Sequence, residues 1–340
     1  MLKISEFMAK ALFEPGSGYY RSKNPLGKNA DFITAPEISQ TFGELVAAYL
    51  LQISQAYKCS ISLVEMGAGK GTWFYDILRT IHKLAENKNT LAVDFISRTS
   101  FHIIEIGEEL QKIQQEKLHD FSVTWYENFS EFLQKNPQPF LFISNELFDC
   151  FPIDQFVKTD IGWCERVVEN QGFMLSAFNP KTNQFVENLL GFEASAKAPF
   201  GAVFEYSAAA KDFMAQLCLA LKDKGAAAIS FDYGYEKCEF ANTLQALKNH
   251  QKVEVISATN DRDITAHVDF GLLDKVVKNF GLNSSLISKR KFLLDCGIEE
   301  RRKNLRQKNP QKREEIDAEI NRLIAPNQMG ELFKCHIIWK

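Results

Sequence analysis

One stretch constrains this chain more than any other: a short apolar run that ends in clustered glycines and enters a helical pattern. Residues 60–66 read Ser-Ile-Ser-Leu-Val-Glu-Met, the turn is Gly67-Ala68-Gly69-Lys70-Gly71, and helix formers run from Thr72 to about residue 86. A run this short and this apolar predicts a strand buried on both faces. The alternation then repeats. Residues 101–106 (Phe-His-Ile-Ile-Glu-Ile) predict a strand and 109–118 a helix, residues 122–126 and 140–144 two more strands, 211–221 a helix and 226–232 a buried strand. Such alternation predicts an α/β fold with a parallel sheet between helices.

Three regions depart from that rhythm. Ile4, Phe7, Met8, Ala11 and Leu12 recur at helical spacing and stop at Glu14-Pro15-Gly16. A polar stretch, 20–40, reads as an ordered loop, and 42–56 as a helix. Residues 1–57 are therefore expected to form an N-terminal helical extension to a domain of residues 58–340. Within that domain, β-rich segments from 156 to 178 are split at Ile161-Gly162 and Asn170-Gln171-Gly172, predicting antiparallel hairpins in an insertion of about 156–200. Residues 299–322 are dense in charge and predict a solvated helical pair broken at Pro310, within a helical segment of about 299–325. Residues 333–339 (Phe-Lys-Cys-His-Ile-Ile-Trp) predict a closing strand.

Composition excludes more than it selects. With 45% hydrophobic and 24% charged residues over 340 positions, a large core is available. A net charge of -3 gives no global attraction to nucleic acid or anionic membrane, so neither is an expected partner. No run of about 18 apolar residues exists to span a bilayer. The seven cysteines are scattered without C-x-x-C spacing, which points to reduced thiols in a cytoplasmic compartment. The first twenty residues mix Lys3, Glu6, Lys10 and Glu14 among apolar positions, unlike a signal peptide or a mitochondrial presequence.

The glycine turn narrows the ligand. A dinucleotide fingerprint would place its third glycine at position 72, which is Thr72. A P-loop needs Ser or Thr after the lysine, where Gly71 stands, and a first glycine where Val64 stands. The pattern Glu65-x-Gly67-x-Gly69-x-Gly71 instead matches Rossmann-like enzymes that bind S-adenosylmethionine. Glu105 closes the next strand, where a carboxylate can accept both ribose hydroxyls of an adenosyl group. Its distance from the turn exceeds the usual spacing, so residues 86–100 are expected to form an elaborated helix and loop.

The strand at 140–144 runs into Asn145-Glu146-Leu147-Phe148-Asp149-Cys150-Phe151-Pro152. Ligands of open parallel sheets sit beyond the carboxyl ends of strands, so Asn145, Glu146 and Asp149 are placed as catalytic candidates. Two nearby acids suit a planar guanidinium acceptor, and the competing reading is a helix cap. His267, between Asp263 and Asp269, is a further polar candidate for shaping the pocket. It lacks a third partner at metal-ligand spacing, and no metal is expected.

Several segments together carry a family resemblance. They are Gly18-Tyr19-Tyr20, Asp31-Phe32-Ile33-Thr34-Ala35-Pro36-Glu37-Ile38-Ser39-Gln40, residues 65–72, 145–152, 163–167, Asp232-Tyr233-Gly234, 263–270 and Met329-Gly330-Glu331-Leu332-Phe333-Lys334. In that order they resemble the MidA family of S-adenosylmethionine-dependent methyltransferases. The resemblance implies a Rossmann-like class I methyltransferase core with an N-terminal helical extension and an inserted β-hairpin region. It adds Thr34, Pro36, Glu37 and Gln40 to Glu65, Gly67, Gly69, Gly71, Thr72 and Glu105 as cofactor-binding candidates. It also implies methylation of an arginine side chain of a protein, since mitochondrial members act so in assembly of a respiratory complex. Methylation of another acceptor, or an assembly factor that binds cofactor without catalysis, stays open. Four positions depart from the family pattern: Ala68 stands for proline, Ala30 for glycine, 259–262 lack a glycine, and 289–291 replace a threonine–glutamine pair.

Overall fold

A computed structural model describes residues 1–21, 34–237, 239–248, 251–257 and 260–340. The expectations at Ala30, Asp31, Phe32, Ile33, Cys238 and Thr259 lie outside the described residues. The chain divides into two compact units. One comprises Met1–Phe32, Phe148–Ala215 and Tyr235–Val276, the other Ile33–Leu147, Gln216–Gly234 and Val277–Lys340. The expected 1–57 extension is thus divided between them at residue 32.

The second unit holds seven strands of the main, eight-stranded sheet: β1 (Ile61–Met66), β2 (Thr99–Ile104), β3 (Val123–Tyr126), β4 (Phe140–Asn145), β5 (Ala227–Tyr235), β6 (Asn283–Ser288) and β7 (Phe333–Trp339). Their order is β6-β7-β5-β4-β1-β2-β3. All neighbours run parallel except β7, which is antiparallel to both β5 and β6. Strand order reverses between β1 and β4, so the crevice beyond their carboxyl ends is the expected ligand position. The six residues of β4 and the nine of β5 are all buried. Two-sided burial is why these runs are mostly apolar rather than alternating. The class I methyltransferase core expected from the sequence is what forms.

Helices of this unit include α1 (Thr41–Ser54), α2 (Thr72–Glu86), α3 (Thr90–Arg98), α4 (Glu108–Lys117), α5 (Phe129–Lys135), α6 (Lys289–Asp295), α7 (Ile298–Lys308) and α8 (Arg313–Ile324). Helix α3 occupies the stretch that makes Glu105 so distant from the glycine turn, and Asn89 caps it by accepting from the Ala92 N–H at 3.1 Å. The charge-dense segment does break at Pro310, but α8 is no solvated helix: Ile316, Ile320, Leu323 and Ile324 are buried in the core. Their i, i+4, i+7, i+8 spacing was masked in sequence by the acids and bases between them. Aromatic rings fill the core near the carboxyl edge. Phe42 stacks on Trp73 with centroids 5.1 Å apart, and Phe231 meets Phe42 and Phe292 edge-on at 5.0 and 5.1 Å.

Helices α1 and α2 approach closely at Gly43, where a Cβ would lie 2.6 Å from Asp76 Cβ. Gly43→Ala is therefore expected to destabilise the protein by about 1–3 kcal/mol through overpacking, despite alanine's better helix propensity. Calorimetric melting of this variant should show a transition several degrees lower; an unchanged or raised transition would refute the close approach.

The first unit contains the hairpins. Strands Asp154–Thr159, Gly162–Glu169 and Gly172–Leu175 pair antiparallel in succession, and Val203–Tyr206 adds to the first of them. Asn170 and Gln171 take φ of +48° and +60°, the backbone of a tight turn whose twist matches the strands it joins. The helix Ile4–Phe13 buries Ile4, Met8, Ala11 and Leu12 against Ile153 and Ile264 in this unit's own core.

Candidate active site

The glycine turn follows β1 at the carboxyl edge of the sheet. Gly67, Gly69 and Gly71 have φ of +72°, +53° and +73°, conformations that favour glycine. A Cβ on Gly67 would lie 3.0 Å from Leu147 Cδ1 and one on Gly71 3.3 Å from Gln114 Cγ. Nothing lies within 4 Å of one on Gly69. The turn is thus closed toward the loop after β4 and toward α4, and open at its middle glycine.

Two buried acids flank it. Glu65 is 2% exposed and its Oε2 has no hydrogen-bond partner among the described residues. Burial, with a smaller contribution from the Glu105 charge, pushes its carboxyl up to about 8. Glu105 is pushed up to about 7 by burial, against the backbone N–H of Gly107, the Gln114 amide and the N–H of Ile106. Its Oε1 accepts from the Gly107 N–H at 2.9 Å and its Oε2 from Gln114 Nε2 at 3.1 Å. The same Nε2 donates to the Gly69 carbonyl at 2.8 Å, while Gln114 Oε1 accepts from Trp125 Nε1 at 2.9 Å. Gln114, fully buried, therefore ties the glycine turn to the acid on the neighbouring strand. Nothing in the sequence singled it out among the glutamines of α4.

The remaining candidates divide. Lys70 of the turn pairs with Glu37 at 3.5 Å, joining the segment after residue 33 to the glycines. Thr34 precedes the short helix Ala35–Ile38, and Pro36 is buried in its first turn. Thr72 Oγ1 accepts from Lys117 Nζ at 2.6 Å, and Gln40 Oε1 from Arg79 Nη2 at 3.0 Å. These two side chains are held by the protein's own cations.

After β4 the backbone turns left-handed at Glu146, whose φ is +53°. A carboxylate residue in that region costs on the order of 1–3 kcal/mol and persists where the surroundings impose it. Here they do: the Glu146 N–H donates to the Phe231 carbonyl at 2.8 Å, and the Leu147 N–H to Asp232 Oδ2 at 3.0 Å. Asn145 Nδ2 donates to Glu146 Oε1 at 3.1 Å, and Asn145 Oδ1, buried, has no partner among the described residues. Asp232, within β5, is thus a clamp on the loop that carries Glu146.

Asp149 and His267 belong to the other unit. The Asp149 carbonyl accepts from the Ala266 N–H at 2.9 Å, and the His267 N–H donates to Thr243 Oγ1 at 2.9 Å. Burial lowers the His267 imidazole below its ordinary range. His267 lines a small pocket there with Glu205, Tyr206 and Asp269. Among the described residues no three His, Cys, Asp or Glu groups are placed to hold a metal, and no helix is long and apolar enough to cross a membrane.

The buried acids, the open glycine and the unpartnered Glu65 oxygen suit a ligand with a cationic amino group and vicinal hydroxyls, which S-adenosylmethionine is. Comparisons with known proteins agree. The family model described as "Putative S-adenosyl-L-methionine-dependent methyltransferase" matches residues 45–288. The mitochondrial protein arginine methyltransferase NDUFAF7 of Danio rerio is 30% identical over 358 residues, spanning 98% of this chain and 82% of the relative. That of Mus musculus is 28% identical, spanning 98% and 79%. A crystal structure of a superfamily member from Burkholderia thailandensis, bound to S-adenosyl-homocysteine, superposes with a TM-score of 0.81 at 25% identity, covering 100% of this chain and 88% of that one. One expectation is overturned. The curated relatives are named as mitochondrial, which contradicts the cytoplasmic compartment. The scattered cysteines on which that expectation rested do not choose between one reducing compartment and another. By family model, relatives matched over most of their length and fold together, this chain belongs to the S-adenosyl-L-methionine-dependent methyltransferases.

Proposed function

We propose that the methyl acceptor is an arginine side chain of a protein, held by Glu146. The observation that carries this is the carboxylate fixed in a left-handed turn at the end of β4, its loop packed against the glycine turn through Leu147. The names of the relatives, protein arginine methyltransferases, support the same acceptor, and a subunit of a respiratory complex is the class of protein that the family resemblance puts first.

In this reading Glu65, Gly67, Gly69, Gly71 and Glu105 form the cofactor cradle. Glu37 closes onto it through Lys70, and Thr34 and Pro36 shape that closing segment. When bound, S-adenosylmethionine supplies a methyl group activated on a sulfonium. Glu146 binds the guanidinium by charge-assisted hydrogen bonds and turns one nitrogen toward the methyl group. As the nitrogen–carbon bond forms and the carbon–sulfur pair stays on sulfur, the guanidinium nitrogen gives up a proton, for which Glu146 is the adjacent acceptor. Placement supplies most of the rate, since such a displacement needs little covalent help. Asn145 steadies the carboxylate through its Nδ2. Asp149 and His267 carry no step in this reading.

The test is transfer of labelled methyl from S-adenosylmethionine into a mitochondrial lysate, followed by mass spectrometry of the modified protein. Label on arginine is the expected outcome. Label on another side chain or a small molecule replaces the acceptor, and cofactor binding without transfer of label replaces catalysis with a binding role.

A further inference from the structure

A buried primary amide has donors at one end and an acceptor at the other, so its neighbours decide which way round it lies. Gln114 of α4 is such a group, with 0% of its surface exposed. The indole of Trp125 on β3 can only donate, and its Nε1 lies 2.9 Å from one end of the amide. That end is therefore Oε1. The other end, Nε2, must donate, and both of its partners accept: the Gly69 carbonyl at 2.8 Å and Glu105 Oε2 at 3.1 Å. The stem backs the turn as well, since a Cβ on Gly71 would lie 3.3 Å from Gln114 Cγ. A second glutamine of the same helix, Gln111, donates Nε2 to the main-chain carbonyl of Glu105 at 2.7 Å.

These donors leave Glu105 a defined capacity. Its Oε1 accepts from the Gly107 N–H at 2.9 Å and its Oε2 from Gln114, so each oxygen keeps a lone pair for one further donor. Two such lone pairs on one carboxylate match two vicinal hydroxyls. Burial pushes the acid up to about 7, and the Gly107 and Gln114 donors oppose that rise. On the elements around it, Glu65 of β1 is the other buried acid. Lys70 in the turn pairs with Glu37 at 3.5 Å, Lys117 of α4 donates to Thr72 at 2.6 Å, and Glu109 of α4 pairs with Lys112 at 2.6 Å. The Tyr126 hydroxyl of β3 accepts from Asn136 at 3.0 Å, and His102 of β2 bonds Ser100 at 2.7 Å.

We propose that Gln114 is a positioning residue for the cofactor: held one way round by Trp125, it fixes the Glu105 carboxylate and the Gly69 carbonyl in one arrangement that the adenosyl group requires. The proposal rests on the reading that Glu105 accepts the ribose hydroxyls. It goes beyond that reading because a side chain whose own polar atoms are all engaged within the protein then sets the strength and pH range of binding. Without the amide, the acid loses a donor to its charged form and takes up a proton at higher pH. The turn loses its tie to α4 at the same substitution.

The experiment is titration calorimetry of the whole protein with S-adenosylmethionine from pH 6 to 9. Gln114→Met, close in length but without an amide, should bind about tenfold more weakly than wild type at pH 7. Its loss of affinity on acidification should begin about one pH unit higher than wild type's. Gln114→Glu keeps an acceptor for Trp125 and holds one proton between two facing carboxyls, as paired acids do. Its affinity should fall rather than rise towards pH 9, as the shared proton leaves. Trp125→Phe frees the amide to turn over and should weaken binding about threefold, and Gln114→Met should add less in that background than alone. If Gln114→Met does not fold, the other two single variants carry the test. A Gln114→Met profile that superimposes on wild type's overturns the proposal. So does a Gln114→Glu profile that rises with pH in parallel with wild type's, the result that packing alone would give. If Glu105→Ala leaves the wild-type affinity unchanged, the cofactor reading fails first and the proposal falls with it.

Discussion

Glu146→Gln will lower methyl transfer by about three orders of magnitude or more and leave cofactor affinity nearly unchanged. Glutamine fits the same space and can still accept from Asn145 Nδ2, and the backbone bond from residue 146 to the Phe231 carbonyl does not involve the side chain. Folding and the glycine turn should therefore persist. What is lost is the negative charge. A neutral amide cannot orient a guanidinium by charge-assisted bonds, nor take up its proton, and general-base catalysis alone is worth about 10²–10⁴ in rate. Radiometric turnover and calorimetric titration with S-adenosylmethionine measure the two arms separately. Turnover within threefold of wild type would remove Glu146 from the acceptor site; a large loss of cofactor affinity would move it into the cofactor site.

The second large effect is on binding. Glu105→Ala will weaken S-adenosylmethionine at least about a hundredfold. Two hydrogen bonds from ribose hydroxyls to a charged acceptor are worth about 1.5–3 kcal/mol each, and each 1.4 kcal/mol is tenfold in affinity. The substitution also leaves Gln114 Nε2 with one of its two acceptors, loosening the tie to Gly69. Titration calorimetry reads the change directly, and an affinity within threefold of wild type would refute the assignment.

The same acids give the wild-type protein a pH signature. Their carboxyls rise from 4.5 to about 7 and about 8 in the folded chain, so the folded state holds protons that the unfolded state releases. The contribution to stability is full below about 4.5 and is lost as pH rises through about 7 to 8. A ligand whose cationic amine and hydroxyls favour the ionised carboxylates will bind with release of protons, and affinity will fall as pH drops below 7. Calorimetry of the same binding in buffers of different ionisation enthalpy detects that release.

Much of this was legible in the sequence because local chemistry and tertiary role coincide. The glycines at 67, 69 and 71 are needed where φ is positive, and β4 and β5 read as apolar because both faces are covered. Glu105 stands out in the sequence by its place at a strand end, and it is buried and tied to the glycine turn through Gln114 even though α3 lengthens the connection. Gln114 was not legible, since a glutamine in a polar helix looks solvated until α4 docks on the turn. Lys289, fully buried, was hidden for the opposite reason: in Ser-Lys-Arg-Lys it reads as one of a basic run, and only the start of α6 after Ser288 turns it inward. The N-terminal helix was correctly read as amphipathic, yet periodicity does not say which core it serves, and it serves the hairpin unit.

The interleaving of the two units has a kinetic consequence. The seven strands of the second unit come from three separated stretches of chain, Ile33–Leu147, Gln216–Gly234 and Val277–Lys340. Pairing β5 with β4, and β7 with β5, requires closing two long excursions, and the entropy of each closure is lost before the contacts it permits are gained. Folding is accordingly governed by non-local contacts and is slow for the protein's size. The first of those stretches carries every residue of the proposed cofactor cradle, but without β5 it lacks the neighbour that clamps the Glu146 loop. Each unit is made of three stretches interleaved with those of the other, so neither unit can be recovered by simple truncation.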